Sequence, residues 1–290
     1  MNNKGFSLVE LLVICAFIAI LSTIFLVSGN VIREKSRMSK AKSFDSEVYL
    51  KLGYDLVGEW TFEDSNNLGK DTSGYFRHGE LKGNLAANGG FNSTYNSLSF
   101  DGNDCVQIDK TFESKNLTVS VWVYPTTDGS SAVYRIVSRD RSDYWMLGQA
   151  ESNRIEWSLI LSDPNPGGDG GNDLTDPDSL KKDKWNHIAA TYDSSTSYKT
   201  VYVDGVKIKS WNTGVNPEDF VIIGDQAASV PIGIGENMEE SLGGCDNSAT
   251  YGFRGRIDDV RIYRDALTLA KIQDIYKQDL EKYSELAFNN

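Results

Sequence analysis

Trp185-Asn186-His187-Ile188-Ala189-Ala190-Thr191-Tyr192-Asp193 and, four residues later, Tyr198-Lys199-Thr200-Val201-Tyr202-Val203 decide the fold. Both runs are short, rich in β-branched and aromatic residues, and alternate with a period of two, as strands do. Asp204-Gly205 then joins the second run to Val206-Lys207-Ile208-Lys209-Ser210. Asp-Gly between two alternating runs is the strongest short-range signal of a two-residue β-hairpin.

The same pattern repeats on either side. Strands are expected at 55–62, 97–100, 117–124, 135–138, 143–148, 154–161, 231–235 and 256–263, separated by turn residues. Many short strands at such spacing predict a two-sheet antiparallel sandwich. Beyond them, Leu269, Ile272, Ile275 and Tyr276 recur at helical spacing over 267–283, with Thr268 placed to cap the N-terminus.

The N-terminal part reads differently. Residues 6–27 are apolar apart from Glu10, long enough for a membrane-crossing helix at about 20 residues per span. A carboxylate there costs about 2.5–3.5 kcal/mol on insertion scales, so it calls for a partner. Met38, Ala41, Phe44, Val48 and Leu52 continue on one helical face, and Gly53 is a stop signal. The expected organisation is therefore α+β. A long membrane-spanning helix occupies 6–53, and an antiparallel β-sandwich with a short C-terminal helix 54–290.

Charge narrows the function. The 290-residue chain has 29 Lys and Arg against 41 Asp and Glu, a net of −12. Residues 31–52 net +3, which leaves −15 on 53–290. An acidic domain of this kind argues against nucleic acid as a partner, since phosphate backbones are held by clustered Lys and Arg. Catalysis is not expected. There are two histidines, His78 and His187, and no Ser-His-Asp set, zinc spacing or phosphate loop. The paired-carboxylate pattern of glycoside hydrolysis needs two acids flanking the sugar. Its nearest string, Glu151-Ser152-Asn153-Arg154-Ile155-Glu156, lacks a middle Asp.

Two resemblances add to this reading. Lys4-Gly5-Phe6-Ser7-Leu8-Val9-Glu10 resembles the class III leader of type IV pilins and pseudopilins. That implies a leader peptide at 1–5, cleaved after Gly5 by a prepilin peptidase, N-methylation of Phe6, and a pilin stalk role for the helix 6–53. It also implies assembly with other pilin subunits through a Glu10 carboxylate paired with a neighbour's Phe6 ammonium. The subunit would be a single-pass protein of the inner membrane before assembly, then part of an extracellular pilus or pseudopilus. The second resemblance rests on motifs in order: Gly58-Glu59-Trp60-Thr61-Phe62-Glu63, Asp71-Thr72-Ser73-Gly74, Leu98-Ser99-Phe100-Asp101-Gly102, Leu117 through Tyr124, Lys184 through Tyr192, and Phe253 through Tyr263. Together they resemble the LamG-like, concanavalin A-like jelly roll, and imply binding of a glycan or a surface protein. The alternative is an assembly pseudopilin of a secretion or DNA-uptake machine whose jelly roll touches only neighbouring subunits.

Site residues follow from the second resemblance. It implies one structural Ca²⁺, with Asp71 and Asp258 as ligands and Glu59, Asp101 and Asp259 as weaker candidates. The competing role for such Asp residues is turn capping through backbone N–H groups. The loop 162–173 starts like a calcium loop but has Gly167 and Leu174 where ligands are needed, so it reads as an acidic surface loop. Cys105 and Cys245 are either a disulfide or two buried thiols. Trp60, Trp122 and Trp185 are expected in the core, whereas Tyr144, Trp145, Trp157 and Trp211 are less fixed.

Overall fold

The computed structural model describes residues 56–89, 95–109, 112, 114–139, 145–159, 173–214, 230–239, 244–245 and 250–284. The chain divides into two units, Met1–Tyr54 and Asp55–Asn290, and every described residue belongs to the second.

The strands in chain order are β1 (Leu56–Trp60), β2 (Glu80–Lys82), β3 (Ala86–Gly89), β4 (Asn96–Asp101), β5 (Cys105–Ile108) and β6 (Leu117–Pro125). They continue with β7 (Tyr134–Arg139), β8 (Trp145–Ala150), β9 (Arg154–Leu159), β10 (Asn186–Asp193), β11 (Tyr198–Val203) and β12 (Val206–Asn212). The last are β13 (Ile232–Ile234), β14 (Met238–Glu239), β15 (Gly244–Cys245) and β16 (Arg254–Tyr263), followed by one helix, α1 (Leu269–Ser284).

Two antiparallel sheets face each other. One runs β12-β11-β10-β6-β16-β4-β3, with β1 also paired to β16, and the other runs β2-β5-β13-β7-β8-β9. The Asp204-Gly205 hairpin forms as its sequence predicts. Val203 pairs with Val206, and the two turn residues have φ of 50° and 73°, the left-handed values a primed turn requires.

Alternation explains the core. Val119, Val121 and Val123 of β6 point inward, as do Ile188 and Ala190 of β10 and Ile257, Val260 and Ile262 of β16. They meet Val106, Ile136, Leu147, Ile155, Trp157 and Ile234 from the other sheet. The intervening residues Thr118, Ser120 and Trp122 are nevertheless buried too. The cover is α1: Tyr276 stacks on Trp122 with ring centroids 5.8 Å apart, and Asp279 accepts from Trp122 Nε1 at 3.0 Å. A strand covered on both faces loses the visible alternation of burial.

The α+β expectation with a long N-terminal helix is corrected. The described residues form a β-sandwich with one 16-residue helix at its C-terminal side. The residues that carried the stalk expectation, 6–53, lie outside the described residues. Among the described residues no helix is long and apolar enough to cross a membrane, so the single-pass membrane placement is corrected with it. The one helix is amphipathic: Ile272, Ile275 and Asp279 face the sheet, while Leu269, Ala270 and Lys277 face solvent.

Beneath α1 lies a buried polar cluster. Arg261 donates to Glu59 Oε1 at 2.7 Å and to both oxygens of Asp279 at 2.6 and 3.1 Å. Burial works against the guanidinium, but Asp279, Glu59 and Asp259 together outweigh it and raise its pKa well above the ordinary value. His187 shares the layer, with Nε2 2.9 Å from Ser120 Oγ. A neutral ring with its proton on Nε2 fits, because it donates to Ser120 and leaves Nδ1 a bare acceptor.

Burial, reinforced by Arg261 and opposed by Asp259, lowers the His187 pKa from 6.5 to about 3. The unfolded chain therefore takes up a proton on this ring below pH 6.5, and the folded chain only near pH 3. The contribution is complete above pH 6.5 and is lost progressively as pH falls toward 3. At pH 5 the loss should be about 2 kcal/mol, at 1.36 kcal/mol per unit. Urea denaturation at pH 7.5 and pH 5 checks this: His187→Gln should lose about 2 kcal/mol less than wild type over that interval. Equal losses in the two proteins would show that another group is responsible.

Candidate functional site

Asp71 sits where β1 ends, forming an isolated bridge to Trp60. Its carboxylate gathers three backbone amides: Oδ1 accepts from Glu59 N at 3.0 Å and Ser73 N at 2.9 Å, and Oδ2 accepts from Arg77 N at 2.8 Å. Asp71 N in turn donates to His78 Nδ1 at 3.0 Å. Trp60 Nε1 donates to Arg77 O, and Arg77 Nη1 donates to Val57 O. These bonds pin both ends of the segment 71–78 to the sandwich.

The tip of this segment faces solvent. Tyr75 is 41% exposed and Phe76 67% exposed. Gly74 turns the chain with φ of 90°, and Phe76 follows with φ of 56°. A non-glycine residue in the left-handed region carries a cost of about 1–2 kcal/mol, and such costs cluster where function requires them. The Arg77 guanidinium lies 5.2 Å from the Tyr75 ring centroid, and the Phe76 ring meets His78 edge to face at 6.1 Å. The outcome is an anchored loop that holds two aromatic rings outward.

A cavity of ≈280 Å³ adjoins it, lined by Thr61, Phe62, Glu63, Asp64, Asn67, Leu68, Lys70 and Thr72. Thr72 follows Asp71 directly, so cavity and loop are continuous in the chain. The rim is charged. Lys70 donates to Asp64 Oδ2 at 2.8 Å and, with the Asn66 amide, holds that exposed carboxyl below the usual carboxylate range. Thr72 Oγ1 donates to Glu59 Oε2 at 2.8 Å. A cavity with a charged rim beside exposed aromatic faces suits a ring compound that is polar at its edge and apolar on its face, the chemistry of a sugar.

The other sequence candidates fall elsewhere. Asp258 is buried on β16, opposite Trp122, and its Oδ1 accepts from Asp259 N. Asp71 and Asp258 thus both hold backbone amides. Among the described residues no group of three or more His, Cys, Asp or Glu side chains is arranged to hold a metal ion. Glu59 pairs with Arg261, and Asp101 Oδ1 caps a turn through Asn103 N. Cys105 and Cys245 form a disulfide with Cα atoms 6.5 Å apart, tying the β14–β15 hairpin to β5. Gly5, Phe6 and Glu10 lie outside the described residues, as do Tyr144 and the acidic loop up to Asn172. The described end of that loop is Asp173, which pairs at 2.6 Å with the fully buried Lys199.

The aromatics divide into two groups. Trp60, Trp145 and Trp157 are core residues. Trp122 is buried, but on the outer face beneath α1, and Trp185 is half-buried on that same face against Tyr124. Phe76 and Tyr75 escape a reading based on periodicity, because a turn has none. The signal present in the sequence is two large aromatics directly after Gly74 in an otherwise polar stretch.

Comparison with known proteins places the sandwich in a class. The profile of the Concanavalin A-like lectin/glucanases superfamily matches residues 100–273, and the chain belongs to that superfamily. No curated protein matches the sequence significantly. Among solved structures, the chain is similar to domain 4 of AbnA, a GH43 extracellular arabinanase from Geobacillus stearothermophilus, determined in complex with arabinotriose. The identity is 20% and the TM-score 0.53, over 77% of this chain and 98% of that one. It is also similar to the binding domain of Paraclostridial Mosquitocidal Protein 1 (19% identity, TM-score 0.56, 78% of this chain). A third is the receptor-binding domain of botulinum neurotoxin D (19%, 0.57, 79% of this chain). The chain spans about half of each of these two toxin chains, 52% and 54%. At these identities the likeness shows the fold.

Proposed function

We propose that the sandwich is a carbohydrate-binding module that takes a neutral sugar at the loop 71–78 and its adjoining cavity, without turning it over. One observation carries this reading: a loop locked by the Asp71 carboxylate spends backbone strain to hold Phe76 and Tyr75 in solvent. Rigid presentation lowers the entropic cost of capturing a ligand. Membership of the superfamily and the arabinotriose held by the AbnA domain support a glycan as the ligand.

Screening the purified protein on a glycan array, followed by titration of the best neutral glycan, tests it. Phe76→Gly should weaken that glycan about tenfold, the loss of roughly 1.4 kcal/mol of stacking. Folding stability should not fall, because glycine adopts the left-handed conformation at no steric cost. Unchanged affinity in Phe76→Gly would remove the loop from the site. An array with no neutral glycan bound would favour an assembly role for the domain.

We propose further that the module is displayed on a pilus-type polymer. The string Lys4-Gly5-Phe6 followed by Glu10 supports processing by a prepilin peptidase after Gly5 and a Glu10–Phe6 contact between subunits. The Cys105–Cys245 disulfide fits an oxidising compartment. Mass spectrometry of the protein from its native host should find an N-methylated Phe6 terminus, and a terminus still beginning at Met1 would contradict the proposal.

A further inference from the structure

The outer face of the larger sheet carries a second feature, which shares no residue with the loop 71–78. Arg256 on β16 pairs laterally with Tyr124 on β6 and with Ser99 on β4. The neighbours of these residues along each strand, Ile257, Val123, Leu98 and Phe100, point into the core, so Arg256, Tyr124 and Ser99 face out. Trp185, just before β10, meets the Tyr124 ring edge to face at 5.8 Å. The Arg256 guanidinium lies 4.8 Å from the centroid of the same ring.

Two residues along each strand, the row of Trp122 and Asp258 is buried beneath α1. The row of Trp185, Tyr124, Arg256 and Ser99 is only half-buried. The helix thus leaves one row of the face uncovered beside itself.

Two arginines on the same strand differ in their satisfaction. Arg261 is saturated by Glu59 and Asp279. Arg256 makes no hydrogen bond or ion pair with any described residue and rests instead against the Tyr124 ring. A guanidinium offers five N–H donors in a planar fork, the shape that takes a carboxylate through two parallel bonds. Resting on an aromatic ring limits its freedom, so less entropy is lost when it binds. Tyr124 and Trp185 add apolar faces flanked by polar atoms, suited to a sugar ring.

We propose that Arg256, Tyr124 and Trp185 form a second binding site whose ligand is a carboxyl-bearing saccharide, with Arg256 gripping the carboxylate and the two aromatic rings flanking the sugar. The net charge of −12 sharpens the expectation. Long-range attraction of a polyanion is absent, so recognition rests on the short-range fork and should persist in moderate salt.

Titration of the full-length protein with trigalacturonate and, separately, with neutral galactotriose tests this, read by tryptophan fluorescence and by the Trp185 indole N–H in an NMR spectrum. Trigalacturonate should bind at least tenfold more tightly than galactotriose and should shift the Trp185 signal. Arg256→Gln should weaken trigalacturonate about tenfold or more, and Arg256→Lys by less, with thermal melting unchanged. Phe76→Gly should leave trigalacturonate binding intact, which separates this site from the first. The proposal is overturned if wild type binds neither trisaccharide, binds both equally, or binds trigalacturonate without moving the Trp185 signal. If Arg256→Gln fails to fold, the Arg256→Lys comparison and the wild-type Trp185 shift decide.

Discussion

Asp279→Ala is expected to cost about 3 kcal/mol of folding stability, the lower end of the range for breaking a buried ion pair. Asp279 accepts two bonds from Arg261 and one from Trp122 Nε1, and so ties α1 to both β16 and β6. Removing it strands a guanidinium that is only 15% exposed. Glu59 remains within 2.7 Å of Arg261, which keeps the loss from the upper end of the range. Trp122 loses its hydrogen bond and Tyr276 its alignment, so the helix should loosen before the sandwich melts. Urea denaturation followed by Trp fluorescence measures both. Asp279→Asn retains a bond to Trp122 and should fall between the two. A loss below about 1 kcal/mol would mean that Ile272 and Ile275 dock α1 without the ion pair.

Opening the Cys105–Cys245 bridge is expected to have an effect of similar or larger size. The two residues are 140 positions apart, so the bridge removes much of the freedom of the unfolded chain. The chain-entropy model gives about 4–5 kcal/mol for such a loop. In a domain of this size that corresponds to a fall in Tm of about 10 °C or more. The double variant Cys105→Ser, Cys245→Ser should melt that much lower, and wild type in strong reductant should melt with it. Two reactive thiols in the untreated protein, or coincident melting of oxidised and reduced forms, would contradict the pairing.

Strands that carry their own alternation were legible in the sequence. β6, β10, β16 and the β11–β12 hairpin combine β-branched residues, inward apolar positions and, at Asp204-Gly205, turn chemistry. α1 was legible from its spacing, and Thr268 does accept from Lys271 N at 3.4 Å. β2, β3, β5 and the β14–β15 pair were not. Glu80-Leu81-Lys82 and Ala86-Ala87-Asn88-Gly89 have little intrinsic strand preference, and their partners β5 and β4 supply it. Trp185 lies in a strand-like motif, yet half-emerges because it precedes β10 at the margin that α1 does not reach.

The site was less legible than the fold. Asp71 stands out in the sequence, but an Asp that ligates calcium and an Asp that gathers backbone amides look alike there. What distinguishes them is the convergence of amides from Glu59, Ser73 and Arg77, residues up to 18 positions apart that only the folded chain brings together. That convergence turns the next residues into a presented loop. The outward Arg256 is similarly invisible in a run where Arg254, Arg256 and Arg261 look equivalent, and only the packing of Glu59 and Asp279 around Arg261 separates the satisfied arginine from the available one.

The most direct test of the account is to map a bound neutral glycan. The best neutral glycan from the array should be titrated into isotopically labelled protein while backbone amide signals are followed. The account predicts saturable shifts concentrated in residues 61–78, led by Tyr75 and Phe76, and their loss in Phe76→Gly. Shifts centred on any other surface, with residues 61–78 silent, would contradict it.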